Sequence, residues 1–283
     1  MKRSLLWIGL LGLLAVARPG ATQADTAKQA FADGKTLLAK ADFHGAMDAF
    51  ARALQADRTN EQYFQHFAMV RQVLALRDLL ETEQEADRWE RAARGLHSFY
   101  IRERLFEEAL ALDKKIHARL NTASSAVLLA QTQLSMQRPA EAAAVLSALD
   151  NEKQTAASRA LYGLTLVRQG RMKSARRVAG RIELPNGAGP GAIYRAARLQ
   201  AAVGNSDAAL ELLVRCFESI APSRLDSFKK HAEQCPDFAA LASTPQFAEA
   251  LQTQSKVPES KCSGGRSCAG CPMRRNCPGS RGQ

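Results

Sequence analysis

Five alanines hold a common phase along this chain: Ala46, Ala109, Ala142, Ala175 and Ala209, separated by 63, 33, 33 and 34 residues. Each lies in a stretch with helical patterning: FHGAMDAFARAL, RLFEEALAL, RPAEAAAVL, GRMKSARRV and GNSDAALELL. A fixed period of this length marks a stacked array, in which one supersecondary unit recurs and each copy covers its neighbour's apolar face. The interval of 63 is slightly short of two periods, so a degenerate or shortened unit is expected across Glu61–Asp87. Abundant Ala and Leu with only 6% aromatic residues fit an all-α chain.

The segment Ala30–Asn60 shows what the unit is. Gly34, Leu37, Phe43, Ala46, Phe50 and Ala53 occupy the small and apolar positions of a 34-residue helix–turn–helix. In this it resembles the tetratricopeptide repeat, with Ala30 where that family has tryptophan and Arg58 where it has a terminal proline. Gly163 and Gly170 in LYGLTLVRQGRMKSA reproduce Gly34 and the inter-helix turn. Further on, Asp237, Leu241, Pro245, Phe247 and Leu251 are similar to the segment that closes many bacterial arrays of this family. The resemblance implies a right-handed superhelical α-solenoid, with a capping piece over the last repeat and folded structure stopping near Gln254.

At the amino end, Lys2 and Arg3 precede the apolar run Leu5–Ala17, and GATQA (Gly20–Ala24) follows. That order is a signal peptide with cleavage after Ala24, the run being too short to span a bilayer. The expected organisation is a signal peptide over 1–24, a first repeat over 25–60, a degenerate unit over 61–87, further repeats over 88–220, a capping segment over 221–254 and a basic tail over 255–283. The expected protein is exported, periplasmic or secreted, with no transmembrane segment in the mature chain. The chain carries 39 Lys and Arg against 28 Asp and Glu, a net charge of +11. Three of those cations leave with the signal peptide, and the tail from Lys256 onward holds six against Glu259 alone. An exported basic tail points to anionic envelope surfaces or acidic protein segments and not to nucleic acid.

Motifs of catalysis do not assemble. The five histidines, His44, His66, His97, His117 and His231, have no paired metal spacing. PNGAGPG (Pro185–Gly191) lacks the lysine of a phosphate loop and reads as a connection between repeats. No enzyme activity and no resident cofactor are expected. Binding is expected instead. In the resembled family the first helix of each pair lines a concave groove, and the repeat register places Lys28, Lys35, Arg91, Arg94, Arg102, Arg168, Tyr194, Arg195 and Arg198 on or beside that face. No acidic residue falls among these positions. Such a groove suits an acidic segment or a carboxylate of a protein partner.

The tail, KCSGGRSCAGCPMRRNCPGSRGQ, spaces Cys262, Cys268, Cys271 and Cys277 as C-x5-C-x2-C-x5-C. In an exported protein four cysteines in a loop-rich segment suggest two disulfides. Four thiolates with one C-x-x-C would also complete a zinc tetrahedron. CSGGRSCAGC resembles the cluster-binding loop of adrenodoxin-type ferredoxins, which would imply a 2Fe–2S cluster. A redox-active C-x-x-C is the remaining alternative, since Arg266 and Arg274 would lower thiolate pKa values. The functional alternative to an adaptor is therefore a metal-binding or thiol-redox protein whose solenoid docks the tail. Cys216 and Cys235 stand apart, as buried thiols or as a disulfide staple for the end piece.

Overall fold

A computed structural model describes residues 23–258, so the signal-peptide run and the tail cysteines Cys262, Cys268, Cys271 and Cys277 lie outside the described residues. Among the described residues there are 13 α-helices and no strand. The chain divides into two compact units between Glu108 and Ala109. The first holds α1 (Gln23–Ala39), α2 (Phe43–Ala56), α3 (Glu61–Thr82) and α4 (Ala86–Arg102). The division falls inside α5 (Phe106–Leu120). The second unit continues with α6 (Ala123–Ser135), α7 (Pro139–Ser147), α8 (Ala156–Arg168) and α9 (Met172–Ala179). It ends with α10 (Pro190–Ala202), α11 (Ser206–Glu218), α12 (Pro222–Gln234), a single-turn 3-10 helix (Pro236–Phe238) and α13 (Pro245–Leu251).

The alanine register has a backbone counterpart. Ala41, Arg104, Gln137, Gly170 and Gly204 have φ of 59°, 59°, 60°, 72° and 90°. Each stands five positions before one of the five alanines, and all five alanines have 0% exposure. In every case the next residue donates its N–H to the carbonyl five positions back: Asp42 to Leu37, Leu105 to Tyr100, Arg138 to Gln133, Arg171 to Leu166 and Asn205 to Gln200. This is the left-handed C′ residue with its 6→1 bond, which satisfies an orphan carbonyl as the first helix ends and turns the chain back. First-helix starts repeat as well. Thr122 with Ser125 and Thr155 with Ser158 form reciprocal capping boxes 33 residues apart.

Close helix crossings explain the small residues. A Cβ on Gly34 would stand 2.5 Å from Phe50 Cε1. One on Gly163 would press into Leu199 Cδ2 inside van der Waals contact. In the first unit Phe31 packs between Phe50, at 5.5 Å, and Tyr63, at 4.8 Å between ring centres.

Over 61–87, where a degenerate or shortened unit is expected, the structure has one long helix, α3, and the start of α4. EQYFQHFAMVRQVLALRDLLET contains no Gly, Pro or other stop signal, so α3 runs unbroken from its Asn60 cap through 22 residues. Trp89 of α4 anchors the connection after it, its Nε1–H donating to Leu80 O at 3.1 Å.

The segment after α12 packs against α11. Phe238, Leu241, Phe247 and Ala250 bury with Leu213, Cys216 and Phe217 in one apolar cluster. Packing continues past Gln254, where folded structure was expected to stop. Ser255 Oγ donates to Ile220 O at 2.6 Å, Lys256 N–H to Glu218 O at 2.8 Å, and Lys256 Nζ pairs with Glu218 at 2.7 Å. The unpaired carbonyls at the end of α11 supply the reason. No helix of the described residues is long and apolar enough to cross a membrane.

Candidate functional site

In the second unit α6, α10 and α12 line a cavity of about 340 Å³ whose wall includes Gln131, Tyr194, Arg195, Arg198, Phe228 and His231. α6 and α10 are first helices of their pairs, and α12 starts 32 residues after α10, where a further first helix would fall. The cavity therefore lies on the face that the repeat register assigns to the groove.

Of the nine groove residues expected from sequence, Tyr194, Arg195 and Arg198 line this cavity and Arg168 meets Arg198 at Asp237, though not all in the expected role. Arg168 Nη2 and Arg198 Nε donate to the two carboxylate oxygens of Asp237, at 2.5 and 2.8 Å. Asp237 has a fully buried side chain and sits on the 3-10 turn of the capping piece. The two arginines are thus partly committed to holding the cap. Burial pulls the Arg198 guanidinium down, but the Asp237 carboxylate, with Cys235 and Tyr194 adding to it, turns the net shift upward. Tyr194 is 6% exposed and no free groove contact. Its hydroxyl lies 2.6 Å from His231 Nδ1, and the rings of Phe228, His231 and Phe238 meet it edge-on. Burial pushes its phenol up, out of reach of ionisation at neutral pH.

Arg195 is different. Its Nη1 donates to Gly191 O at 2.8 Å, while its buried Nε has no partner. Among the described residues no carboxylate pairs with it. Burial, and then the neighbouring Arg198 charge, hold its pKa below the ordinary arginine value. A desolvated cation without a counter-ion is unfavourable in the free protein, and an arriving carboxylate would relieve it.

The remaining five expected residues belong to the first unit. Lys28 and Arg91 are exposed on α1 and α4. Lys35 Nζ lies over the Phe31 ring at 5.1 Å. Arg94 pairs with Glu90 one turn away at 2.6 Å, and Arg102 with Glu103 at 3.1 Å while stacking over Phe99. Acids outside the mapped positions thus reach several of the mapped cations. Sequence reasoning missed Asp237, Phe228 and His231, because the stretch from residue 221 onward had been read as a cap alone. The 32-residue offset of Pro222 from Pro190 is the signal that could have placed α12.

Cys216 and Cys235 are free, buried thiols with separate partners, and they do not form the staple. Cys216 Sγ donates to Pro190 O at 3.4 Å and Cys235 Sγ to Asp237 Oδ2 at 3.7 Å. Burial pushes Cys216 up to about 12 and Cys235 in the same direction, so neither is a thiolate at neutral pH. A second cavity, of about 470 Å³, lies among α7, α8 and α9. Its Ser147 and Ser158 hydroxyls already serve helix ends, which leaves it less prepared for a ligand.

A family model described as anaphase-promoting complex, cyclosome, subunit 3 matches residues 102–182. No curated protein matches the chain significantly. The matched stretch holds the three left-handed turns at Arg104, Gln137 and Gly170, with their buried alanines Ala109, Ala142 and Ala175. With the same turn recurring before and after it, the matched stretch belongs to a longer run of tetratricopeptide-like helix–turn–helix repeats.

Proposed function

We propose that this protein is a non-enzymatic adaptor that holds an acidic segment of a protein partner on the first-helix face of its second unit. The observation that carries the reading is Arg195: a desolvated guanidinium on a cavity wall with no carboxylate partner among the described residues. Arg198 beside it reinforces the positive field, and electrostatic complementarity of this kind sets partner choice and approach rate. The charged start, the apolar run Leu5–Ala17 and the small residues before Asp25 support export, so the partner would be met outside the cytoplasm. The tail would then add attraction to anionic surfaces. Its C-x5-C-x2-C-x5-C spacing supports a second reading, in which the array docks a metal or thiol module on its client.

Fluorescence anisotropy with a labelled hexaglutamate peptide tests the first reading. Binding should weaken with added salt, and Arg195→Glu should reduce affinity by at least about tenfold, as expected for a buried charged contact. Equal affinity of wild type and variant would overturn it.

A further inference from the structure

We infer that this cavity recognises an acidic residue followed directly by an aromatic one, of the Asp-Phe or Glu-Phe type, on an exposed segment of the partner. The inference rests on the acidic-partner reading above and specifies what lies next to the carboxylate. The chain already makes this contact once, internally. Asp237 and Phe238 are adjacent on the 3-10 turn. The carboxylate goes to Arg198 and Arg168, and the Phe238 ring meets Tyr194 edge-on at 5.9 Å. One helix, α10, thus receives an acid on a guanidinium and a ring on a tyrosine.

The cavity offers the same receptor chemistry a second time. Arg195 stands three residues before Arg198 on α10, so it projects from a neighbouring position of the same helix. Phe228 of α12 meets Tyr194 edge-on at 5.7 Å, and its ring lines the cavity. Arg224 lies over that ring at 5.6 Å. Around the internal Asp237–Phe238 pair both receptor groups are satisfied. Around the cavity, Arg195 has no carboxylate among the described residues and Phe228 is only half-buried. The volume, about 340 Å³, lies at the small end of ligand pockets. That suits two adjacent side chains and not a whole helix of a partner.

The test uses the full chain and blocked, labelled peptides Gly-Ser-Asp-Phe-Ser-Gly, Gly-Ser-Asn-Phe-Ser-Gly and Gly-Ser-Asp-Ala-Ser-Gly, with hexaglutamate alongside. Wild type should bind the Asp-Phe peptide about tenfold more tightly than either the Asn-Phe or the Asp-Ala peptide, the usual scale for losing one buried charged or aromatic anchor. Arg195→Gln should erase the preference for Asp over Asn, and Phe228→Ala the preference for Phe over Ala. The three peptides on wild type decide the matter even if a variant folds poorly. Arg195-dependent hexaglutamate binding without Asp-Phe preference would overturn this inference and leave the acidic-partner reading standing. No binding of any acidic peptide would overturn both. An Asp-Phe preference that survives both substitutions would place recognition elsewhere and overturn the assignment to this cavity.

Discussion

Asp237 of the capping turn bridges two helices of the array, accepting from Arg198 Nε at 2.8 Å and from Arg168 Nη2 at 2.5 Å with no exposure of its own side chain. The two guanidiniums keep 21% and 39% of their side-chain surface, so the bridge is buried at the acid and wet at the cations. This asymmetry makes the acid the fragile member. Asp237→Ala should destabilise the second unit by about 2–3 kcal/mol, below the 3–5 typical of breaking a fully buried pair because Arg168 keeps solvent. Chemical denaturation measures this, and limited proteolysis should find the segment after Gln234 cleaved first.

The left-handed turns give a prediction of opposite sign at different repeats. Arg104 and Gln137 hold φ near 60° with a side chain, a conformation that costs about 1–2 kcal/mol in residues other than glycine. Arg104→Gly and Gln137→Gly should therefore each stabilise by about 0.5–1 kcal/mol after glycine's extra unfolded entropy is subtracted. Gly170→Ala and Gly204→Ala should each destabilise by about 1 kcal/mol, although open space surrounds both. A denaturant series on the four variants checks the signs.

Gly163→Leu should destabilise by about 3 kcal/mol or more, the upper range for overpacking, because even a Cβ there collides with the fully buried Leu199. Gly163→Ala combined with Leu199→Ala should cost less than the sum of the two single losses, since the second substitution vacates the space the first requires. Thermal melts of the single and double variants provide the comparison.

How far the sequence revealed this molecule follows from where each constraint acts. The alanine phase was legible because two helix backbones in close contact admit only small side chains, and residue type records that directly. The turns were half legible: Gly170 and Gly204 advertise themselves, while Ala41, Arg104 and Gln137 adopt the same backbone under pressure from the packed pairs around them. The form of α3 stayed open in the sequence, because a phase interval short of two periods fits a shortened pair as well as one long helix. Asp237 could not be found from Arg168 and Arg198, since 69 and 39 residues separate it from them. The register marked cationic positions only as candidates for a groove face. Which of them lacked a partner was decided in three dimensions.

Two histidines set an expected pH dependence. Desolvation holds His117 below its ordinary value, and desolvation followed by the Arg198 charge does the same for His231, with Asp237 opposing. A histidine with a depressed folded pKa binds fewer protons in the folded than in the unfolded chain. Stability therefore falls as pH drops through the unfolded value of about 6.5, and the loss is complete below the depressed folded values. His231→Gln should flatten the fall of melting temperature between pH 7 and pH 5, as read by circular dichroism.

The central claim is that Arg195 meets the partner's carboxylate. Its most direct test is a titration of hexaglutamate into the full chain carrying ¹⁵N-arginine, followed through the guanidinium Nε–H resonances. Arg195 Nε–H, buried and without a partner in the free protein, should shift saturably with peptide and lose the response in Arg195→Gln. Saturable binding that leaves the Arg195 signal unmoved, with shifts confined to other arginines, would contradict the account.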